Sequence, residues 1–289
     1  MAKSFQVVVT GASGFVAKNL RKYLSENNVN LISISRNDFK TYKNEQKIIS
    51  KDYDEKIIVK KIKNSDVLIH LVGIGKQSID TDYEMINVEL TKHIVNLVKK
   101  TKIKKIVYNS GLGVSSKTSV GYFISKYKAE KIIINSGLNY TIFRPSYIVG
   151  KDDLFTKFLK KQIKIKTIEI PGSGKYSIQP ISINDVTKII FQSFNEIKFK
   201  NKICDLVGPD YLTFEQYVKL FCKGSKIKIK KINLETAYYD AINNKNSNFG
   251  IDDLNILVGD FKGNYNQLEK ITQIKFESVI ELLKSGRLL

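Results

Sequence analysis

The sequence predicts an α/β protein built on a parallel sheet with helices on both faces. Strand-like and helix-like patterns alternate through the first half of the 289 residues. A glycine-rich turn joins the first strand pattern to the first helix pattern, and the strand patterns are apolar on both faces, as in buried parallel sheets. At roughly 150 residues per domain, this length predicts two lobes or one large α/β domain.

The alternation can be followed element by element. Runs rich in β-branched residues predict strands, and apolar residues three or four positions apart predict helices. The predicted strands cover residues 5–10, 31–35, 67–72, 106–109 and 140–143, and the predicted helices cover residues 14–27, 53–63, 83–100 and 119–135.

The pattern is less regular after Pro145. Residues 154–161 are helical and residues 167–170 extended, Asn184 or Asp185 caps a helix that runs to about Asn195, and residues 203–207 form a strand. Thr213 with Gln216 is a capping box. We predict a nucleotide-binding sheet domain of residues 1–146 plus about 179–207, and a smaller C-terminal substrate or partner lobe of about residues 147–178 and 208–289.

The net charge of +20 does not predict a specific nucleic-acid function. Of the 48 basic residues only four are Arg, the residue suited to bidentate base and phosphate contacts, and Lys is spread over the whole chain. The longest apolar stretch, residues 67–74, is interrupted by His70 and Gly73 and is too short for a membrane span. Cys204 and Cys222 lack metal-ligand spacing. We therefore expect a cytoplasmic protein with no metal site.

The strongest local signal is the turn that follows the strand Val7-Val8-Val9. Gly11 permits a tight turn, Gly14 lets the backbone approach a pyrophosphate, and the following helix N-terminus offers free N–H groups. Because the turn follows a strand and precedes a helix, it predicts a dinucleotide site. The predicted cofactor contacts here are Thr10, Gly11, Ser13, Gly14, Phe15 and Val16.

The end of the second strand predicts which dinucleotide binds. NAD sites place an acid there for the ribose hydroxyls, but this strand ends in Ser35-Arg36. Arg36 can hold a 2′-phosphate with two parallel hydrogen bonds, which favours NADP(H) over NAD(H). The alternative is a solvent-exposed Arg36 with Asp38 serving the ribose.

Tyr122 and Lys126 lie four residues apart and therefore share one face of a predicted helix. A nearby ammonium would lower the phenol pKa from its usual value of about 10. The pair could then exchange a proton with an alcohol or carbonyl while a nicotinamide moves a hydride.

These pieces together resemble the extended or atypical short-chain dehydrogenases/reductases of the NAD-dependent epimerase/dehydratase superfamily. The branch that includes the nucleotide-binding accessory subunit of respiratory complex I is the most similar. The matching pieces are Thr10–Phe15, Asp66–Gly73, Asn87-Val88, Asn109-Ser110, Tyr122-x-x-x-Lys126, Arg144-Pro145-Ser146, Gln179-Pro180-Ile181, Asp185-Val186 and Gly208-Pro209.

The resemblance implies a Rossmann-type fold and assigns roles to residues. Tyr122 would be the acid/base and Lys126 its partner, which also binds the nicotinamide ribose. Gly111 stands where the family has a Ser or Thr that polarises the substrate carbonyl, and the neighbouring Ser110 is the candidate replacement. The remaining cofactor-side residues implied are Asp66, Leu71, Val72, Gly73, Asn87, Arg144 and Pro145.

We therefore predict an NADP(H)-dependent oxidoreductase or epimerase/dehydratase-like enzyme. Its substrate would carry a carbonyl or hydroxyl group and could resemble a nucleotide sugar. The alternative is a catalytically silent NADPH-binding structural or assembly subunit. Expected partners are a small-molecule substrate or a protein complex, including peripheral association with a membrane complex, or a second copy of the chain.

Overall fold

A seven-stranded sheet forms the centre of the fold. The computed structural model describes residues 5–78, 80–194, 197–244 and 247–288. Its strands are β1 (Gln6–Thr10), β2 (Asn30–Ser35), β3 (Glu45–Ile49), β4 (Val67–His70), β5 (Lys105–Asn109), β6 (Asn139–Pro145) and β11 (Lys202–Leu206). They lie in the order β11-β6-β5-β4-β1-β2-β3 across the sheet.

The strands from β6 to β3 pair in parallel. Val8 of β1 lies between Ile32 of β2 and Leu68 of β4, and the same direction holds for β2 with β3, β4 with β5, and β5 with β6. The predicted Rossmann-type α/β fold is confirmed. The order reverses between β1 and β4, which is where open sheets of this kind bind ligands, outside the carboxyl ends of the strands.

Helices connect these strands. They are α1 (Phe15–Glu26), α2 (Glu55–Ile62), α3 (Leu90–Lys99), α4 (Gly121–Ile134) and α6 (Ile183–Gln192). The helix predicted over residues 83–100 begins with a π-helical segment, Glu84–Glu89, that continues directly into α3. The predicted end of α6 at about Asn195 lies outside the described residues.

The sequence did not predict β3. Only Ile48 of its five residues is buried, and three of the other four are charged or polar, as suits an edge strand. Such a strand lacks the apolar run that identified the others.

Two compact units account for the described residues. The first falls within residues 1–119, 123–144 and 186–204, and the second within residues 120–122, 145–185 and 205–289. The first unit has a core of mostly aliphatic side chains on one face of the sheet, among them Ile34, Ile58 and Val98, all fully buried.

The second unit contains three small two-stranded sheets. Their strands are β7 (Ile148–Val149) with β10 (Ile181–Ser182), β9 (Ser177–Ile178) with β12 (Leu212–Thr213), and β8 (Thr167–Pro171) with β13 (Lys228–Ile232). Its helices are α5 (Leu154–Lys164), α7 (Phe214–Phe221), α8 (Leu234–Asn243), α9 (Ile251–Val258), α10 (Tyr265–Thr272) and α11 (Val279–Lys284). The predicted Thr213–Gln216 capping box begins α7.

No helix in the described part of the chain is both long enough and apolar enough to cross a membrane.

Candidate functional site

The glycine turn lies at the carboxyl end of β1. Gly11 has a φ of +72°, and its carbonyl accepts the Gly14 N–H at 2.9 Å. A Cβ on Gly11 would lie 3.0 Å from backbone atoms of Leu71 and Val72, which follow β4. The two loops that flank the reversal of strand order therefore touch through backbone alone, and only glycine permits this contact.

The N-terminus of α1 faces this turn. Its N-cap residue is Gly14, and no side chain caps the helix. The first N–H groups of an uncapped helix and the positive end of its dipole form a site for phosphate groups. Phe15 and Val16 provide the first two of these N–H groups, and their contact with a pyrophosphate stays a prediction. A Cβ on Gly14 would lie 3.2 Å from the Gly11 carbonyl oxygen and would narrow the turn in front of the helix N-terminus.

Ser35 and Arg36 lie next to the turn, at the end of β2. The hydroxyls of Ser35 and Ser13 are 3.1 Å apart, which joins β2 to the turn. Arg36 is exposed, and its guanidinium makes no ion pair or hydrogen bond with other described residues. By contrast, Asp38 binds the ammonium of Lys47 at 2.5 Å, and this bond lowers the pKa of the Asp38 carboxyl. Arg36 is thus available to an anionic ligand, while Asp38 is already paired.

Tyr53 also borders the glycine turn, although no sequence pattern predicted it as a site residue. Its side chain is 2% exposed, and burial raises its pKa to about 12 although the Gly11 N–H points to the hydroxyl. Its carbonyl accepts a hydrogen bond from His93 Nε2 at 2.9 Å. Its position in the sequence, two residues before α2, gave no signal of this contact.

A buried polar chain runs beneath the turn, from β1 to the π-helical segment. The Thr91 hydroxyl donates to the Asn87 carbonyl at 2.7 Å, so it accepts the Nε2–H of His70 at 3.1 Å. His70 Nδ1 then accepts the Thr10 hydroxyl at 2.7 Å. Burial lowers the pKa of His70 to about 3, so this ring is neutral at pH 7. Thr10, which directly precedes Gly11, therefore bonds the turn to this polar chain.

Asn87 extends the chain to α4. Its side-chain amide donates to Ser125 Oγ at 3.0 Å, and its side-chain oxygen accepts the Ile74 N–H at 2.9 Å. π-Helical segments are rare and concentrate at functional sites, and this one carries Asn87. Asn87 thereby fixes the loop after β4 against α4.

Lys126 lies buried beside this loop. Its ammonium donates to the Tyr108 hydroxyl at 3.2 Å and to the Asn109 carbonyl at 3.1 Å, both at the end of β5. A Cβ on Gly73 would lie 2.9 Å from the Lys126 nitrogen, which explains glycine there. Burial lowers the pKa of Lys126 to about 8, and Glu130 on the next turn of α4 opposes this shift.

Tyr122 lies one turn before Lys126 on α4. Burial raises its pKa to about 12, so the lowered value expected from the Tyr-x-x-x-Lys spacing is wrong for this structure. The reason is that burial of the phenol disfavours its charged form. At pH 7 Tyr122 therefore holds its proton and could act as an acid.

Ser110 follows β5 directly. Its hydroxyl is buried and has no hydrogen-bond partner among the described residues, and the same holds for the Asn109 side-chain oxygen. Two unpartnered buried oxygens at one strand end are unusual in a folded protein. They lie next to the Asn109 carbonyl that binds Lys126.

Two predicted cofactor residues have other partners. Arg144 binds Glu130 at 2.9 and 2.7 Å, a fork that holds β6 to α4, and its contact with the cofactor stays a prediction, as does that of Pro145 at the end of β6. Asp66 is a correction, because it precedes β4 and accepts the Gln6 N–H at 3.0 Å. The four residues of β4, about 13 Å of extended chain, separate it from the turn.

Comparison with known proteins gives a family for this site. Residues 11–194 match the family described as NAD(P)H-binding, which is more than half of the chain. The matched region begins at Gly11 of the glycine turn and includes Lys126, Arg144 and, from the buried polar chain, His70, Asn87 and Thr91.

The curated relatives include two proteins named NADH dehydrogenase [ubiquinone] 1 alpha subcomplex subunit 9, mitochondrial. The chain is 24% identical to the Dictyostelium discoideum protein over 78% of its own length and 65% of the relative. It is 26% identical to the Mus musculus protein over 58% of its own length and 45% of the relative. The chain therefore spans about half to two thirds of these relatives.

Solved structures share the fold at lower identity. UDP-glucuronic acid 4-epimerase from Bacillus cereus, in complex with UDP-glucuronic acid and NAD, has a TM-score of 0.77 at 15% identity, covering 98% of each chain. UDP-glucose 4-epimerase from Thermotoga maritima, with UDP-glucose, has a TM-score of 0.72 at 16% identity, covering 98% of this chain and 97% of that one.

Proposed function

Because the chain belongs to the NAD(P)H-binding family, we propose that the carboxyl edge of its sheet binds NADP(H) and that the protein is an oxidoreductase or epimerase/dehydratase-like enzyme. The observation that carries the proposal is the close backbone approach of Gly11 to Leu71 and Val72, beside an Arg36 that has no ion pair with the other described residues. A Cβ on Gly11 would lie 3.0 Å from the backbone of both residues and would force the two loops apart.

The adenosine half of the cofactor would be held by residues around β2. The 2′-phosphate would pair with Arg36, and Asp38 cannot easily replace it as a ribose ligand because Lys47 already binds its carboxylate. The pyrophosphate would lie on the N–H groups of Phe15 and Val16. These contacts favour NADP(H) over NAD(H).

The nicotinamide half would lie near β5 and α4, where the cofactor supplies or accepts a hydride. Lys126 would hold the ribose hydroxyls, oriented by Tyr108 and Asn109. Tyr122 keeps its proton at pH 7 and would donate it to a carbonyl oxygen on the substrate. Ser110 would bind the same oxygen, since its hydroxyl has no partner among the described residues.

The substrate class follows from the fold comparison by analogy alone. The epimerases with similar structures were solved with UDP-glucuronic acid and with UDP-glucose. A nucleotide sugar, or another molecule with a hydroxyl or carbonyl group, is the proposed substrate. The second unit would form the substrate or partner lobe, and the proposed site of action is the cytoplasm, although the two curated relatives are named mitochondrial.

A second candidate function is a silent NADPH-binding subunit of a larger complex. The replacement of the expected Ser or Thr by Gly111 favours it, and so does the similarity to proteins named as NADH dehydrogenase subunits. The protein would then associate with a membrane complex or with a second copy of the chain and hold the nucleotide as a structural ligand.

Thermal unfolding with NADPH, NADH and pyrophosphate tests cofactor binding. A ligand at about 100 times its Kd adds about 2.7 kcal/mol and raises the midpoint by several degrees. We expect the largest shift with NADPH. Equal shifts with all three would mean that the +20 charge binds anions without selection.

Tyr122→Phe separates the enzyme from the silent subunit. NADPH oxidation is measured with a panel of carbonyl compounds and sugar nucleotides. An enzyme should lose turnover by about 10²- to 10⁴-fold in the variant while its Kd for NADPH stays within twofold. Full turnover in the variant would refute the role of Tyr122, and no turnover in the wild type despite tight NADPH binding would support the silent subunit.

A further inference from the structure

Arg21 is a buried cation that the proposed cofactor site does not use. It lies on α1 and is 2% exposed. Its Nε donates to Glu45 Oε1 at 2.6 Å, and its Nη2 donates to Glu45 Oε2 at 3.0 Å. Glu45 is the first residue of β3 and its side chain is fully buried, so the two groups form a bidentate pair inside the first unit.

The remaining bonds of Arg21 go to two loops. Its Nη1 donates to the carbonyl of Ala12 in the glycine turn at 2.7 Å. Its Nη2 also donates to the carbonyl of Lys40 at 2.6 Å. One guanidinium therefore joins the pyrophosphate turn to residues 36–44, the irregular segment between β2 and β3 that begins with Arg36.

Aromatic side chains from that segment complete the contact. The guanidinium carbon lies 4.3 Å from the ring centre of Phe39 and 5.2 Å from that of Tyr42. The Tyr42 N–H donates to Glu45 Oε2 at 2.7 Å, which gives this carboxylate oxygen a second donor. The segment is thus held through its backbone at Lys40 and Tyr42 and through two rings.

Stability alone is a weak reason for such a pair, because well-packed apolar residues often stabilise a core as much as a buried ion pair does. A partly buried pair, Arg144 with Glu130, joins a strand to a helix. Arg21 instead orders a segment with no regular structure beside a predicted phosphate ligand. Ordering that segment before binding removes an entropic cost from binding.

We propose that Arg21 is a positioning residue that sets cofactor selectivity by fixing residues 36–44 against the glycine turn, so that Arg36 is held where a 2′-phosphate binds. The proposal rests on the proposed NADP(H) function. Arg21 itself does not touch the cofactor. Its loss should therefore weaken NADPH binding far more than NADH binding, since NADH has no 2′-phosphate.

The decisive variant replaces both members of the pair, Arg21→Met with Glu45→Met. Removing Arg21 alone would leave Glu45 as a buried unpaired charge and could prevent folding. The double variant removes both charges, keeps the volume, and loses the bonds to Ala12 and Lys40. We expect it to fold and its ratio of NADH Kd to NADPH Kd to fall at least tenfold, measured by calorimetric titration.

Two further variants separate positioning from general stability. Arg21→Lys keeps the positive charge but cannot form the two parallel hydrogen bonds to Glu45. We expect its ratio of NADH Kd to NADPH Kd to lie between those of the wild type and the double variant. Ile133→Ala creates a cavity near the end of α4, in the core of the first unit, and should lower stability without changing the ratio. An unchanged ratio in the folded double variant would overturn the proposal.

Limited trypsin digestion reports on the segment directly. Arg36, Lys40 and Lys43 are exposed cleavage sites inside it, and Lys223 in the second unit is an exposed reference. Cleavage after Lys40 and Lys43, followed by mass spectrometry, should accelerate at least fivefold in the double variant relative to Lys223. An unchanged rate would mean that Arg21 does not order the segment, which also overturns the proposal.

The wild type distinguishes this proposal from the function on which it rests. If the wild type binds neither nucleotide, the proposed function fails and selectivity fails with it, whereas the digestion still reports whether Arg21 orders the segment. If the wild type binds both nucleotides equally tightly, cofactor binding stands and the selectivity role of Arg21 is refuted.

Discussion

The two halves of the candidate site present different chemical groups. Around Gly11 the proposed ligand groups are backbone N–H groups, and the loops touch through backbone atoms. Around β5 and α4 the groups are side chains: a buried Lys126, a protonated Tyr122 and an unpartnered Ser110 hydroxyl. Because backbone geometry depends on only a few glycines, the first half can persist while side chains in the second half change. This difference allows both a working enzyme and a silent cofactor-binding protein.

Gly11→Ala should break the first half with the largest effect. The added Cβ would meet the backbone of Leu71 and Val72 at 3.0 Å and would force Ala to a φ of +72°. We expect the Kd for NADPH to rise about 100-fold or more, which corresponds to about 2.7 kcal/mol.

Gly137→Ala is the matched control for that change. Gly137 has a φ of +82°, and no atom lies within 4 Å of a Cβ built there. It therefore carries a similar backbone strain without a clash, and we expect reduced stability with unchanged nucleotide affinity. A large loss of affinity in both variants would show that strain, not the contact between the loops, limits binding.

His70→Gln should flatten the dependence of stability on pH. The pKa of His70 is about 3 in the folded protein and about 6.5 when unfolded, so between these values only the unfolded state takes up this proton. The contribution of His70 to the free energy of unfolding is therefore complete above pH 6.5. Below pH 6.5 it falls by about 1.4 kcal/mol per pH unit. From pH 6.5 to 4.5 we expect the wild type to lose about 2 kcal/mol more than the variant in urea unfolding.

His93→Gln is the control, since His93 is the other histidine of the chain and is only partly buried. Comparing it with His70→Gln shows how much of the pH dependence belongs to His70. Equal slopes for the wild type and His70→Gln would show that the polar chain under the turn does not keep His70 neutral.

Gly73→Ala tests the contact between the halves and should have a smaller effect. The new methyl group would lie 2.9 Å from the Lys126 nitrogen and 3.2 Å from the Asn87 side-chain oxygen. The flexible lysine can move, so we expect a rise of about tenfold in the Kd for NADPH, or about 1.4 kcal/mol. Gly75→Ala, which has open space around its Cβ, should leave the Kd unchanged. If both variants have the same Kd for NADPH, Lys126 does not contribute to cofactor binding.

Ser110→Ala should change stability least. Its hydroxyl has no partner among the described residues, so its removal relieves a desolvation cost and should alter the free energy of unfolding by about 0.5 kcal/mol or less. Ser125→Ala removes the acceptor of the Asn87 amide and should cost about 1 kcal/mol. If Ser110→Ala costs as much in urea unfolding, the hydroxyl is engaged in the fold and is not available to a substrate.

Much of the sheet was predictable because its strands are continuous apolar runs separated by amphipathic helices. The edge strand β3 was not, since a strand exposed on one side carries polar residues such as Gln46 and Lys47. The glycine turn was predicted from the glycine spacing together with the strand before it and the helix after it. Asp66 was placed wrongly because a resemblance to a family motif does not say which end of β4 faces the cofactor.

By itself the sequence determined the fold class, the glycine turn and the presence of Tyr122 and Lys126 on one helix, because these depend on short-range spacing and on the period of apolar residues. Only the tertiary structure decided the pKa directions of Tyr122 and Lys126, the contact of Gly11 with Leu71, and the clamp of Arg21 on residues 36–44. Burial and the approach of segments distant in sequence set all of these, and no local pattern encodes either.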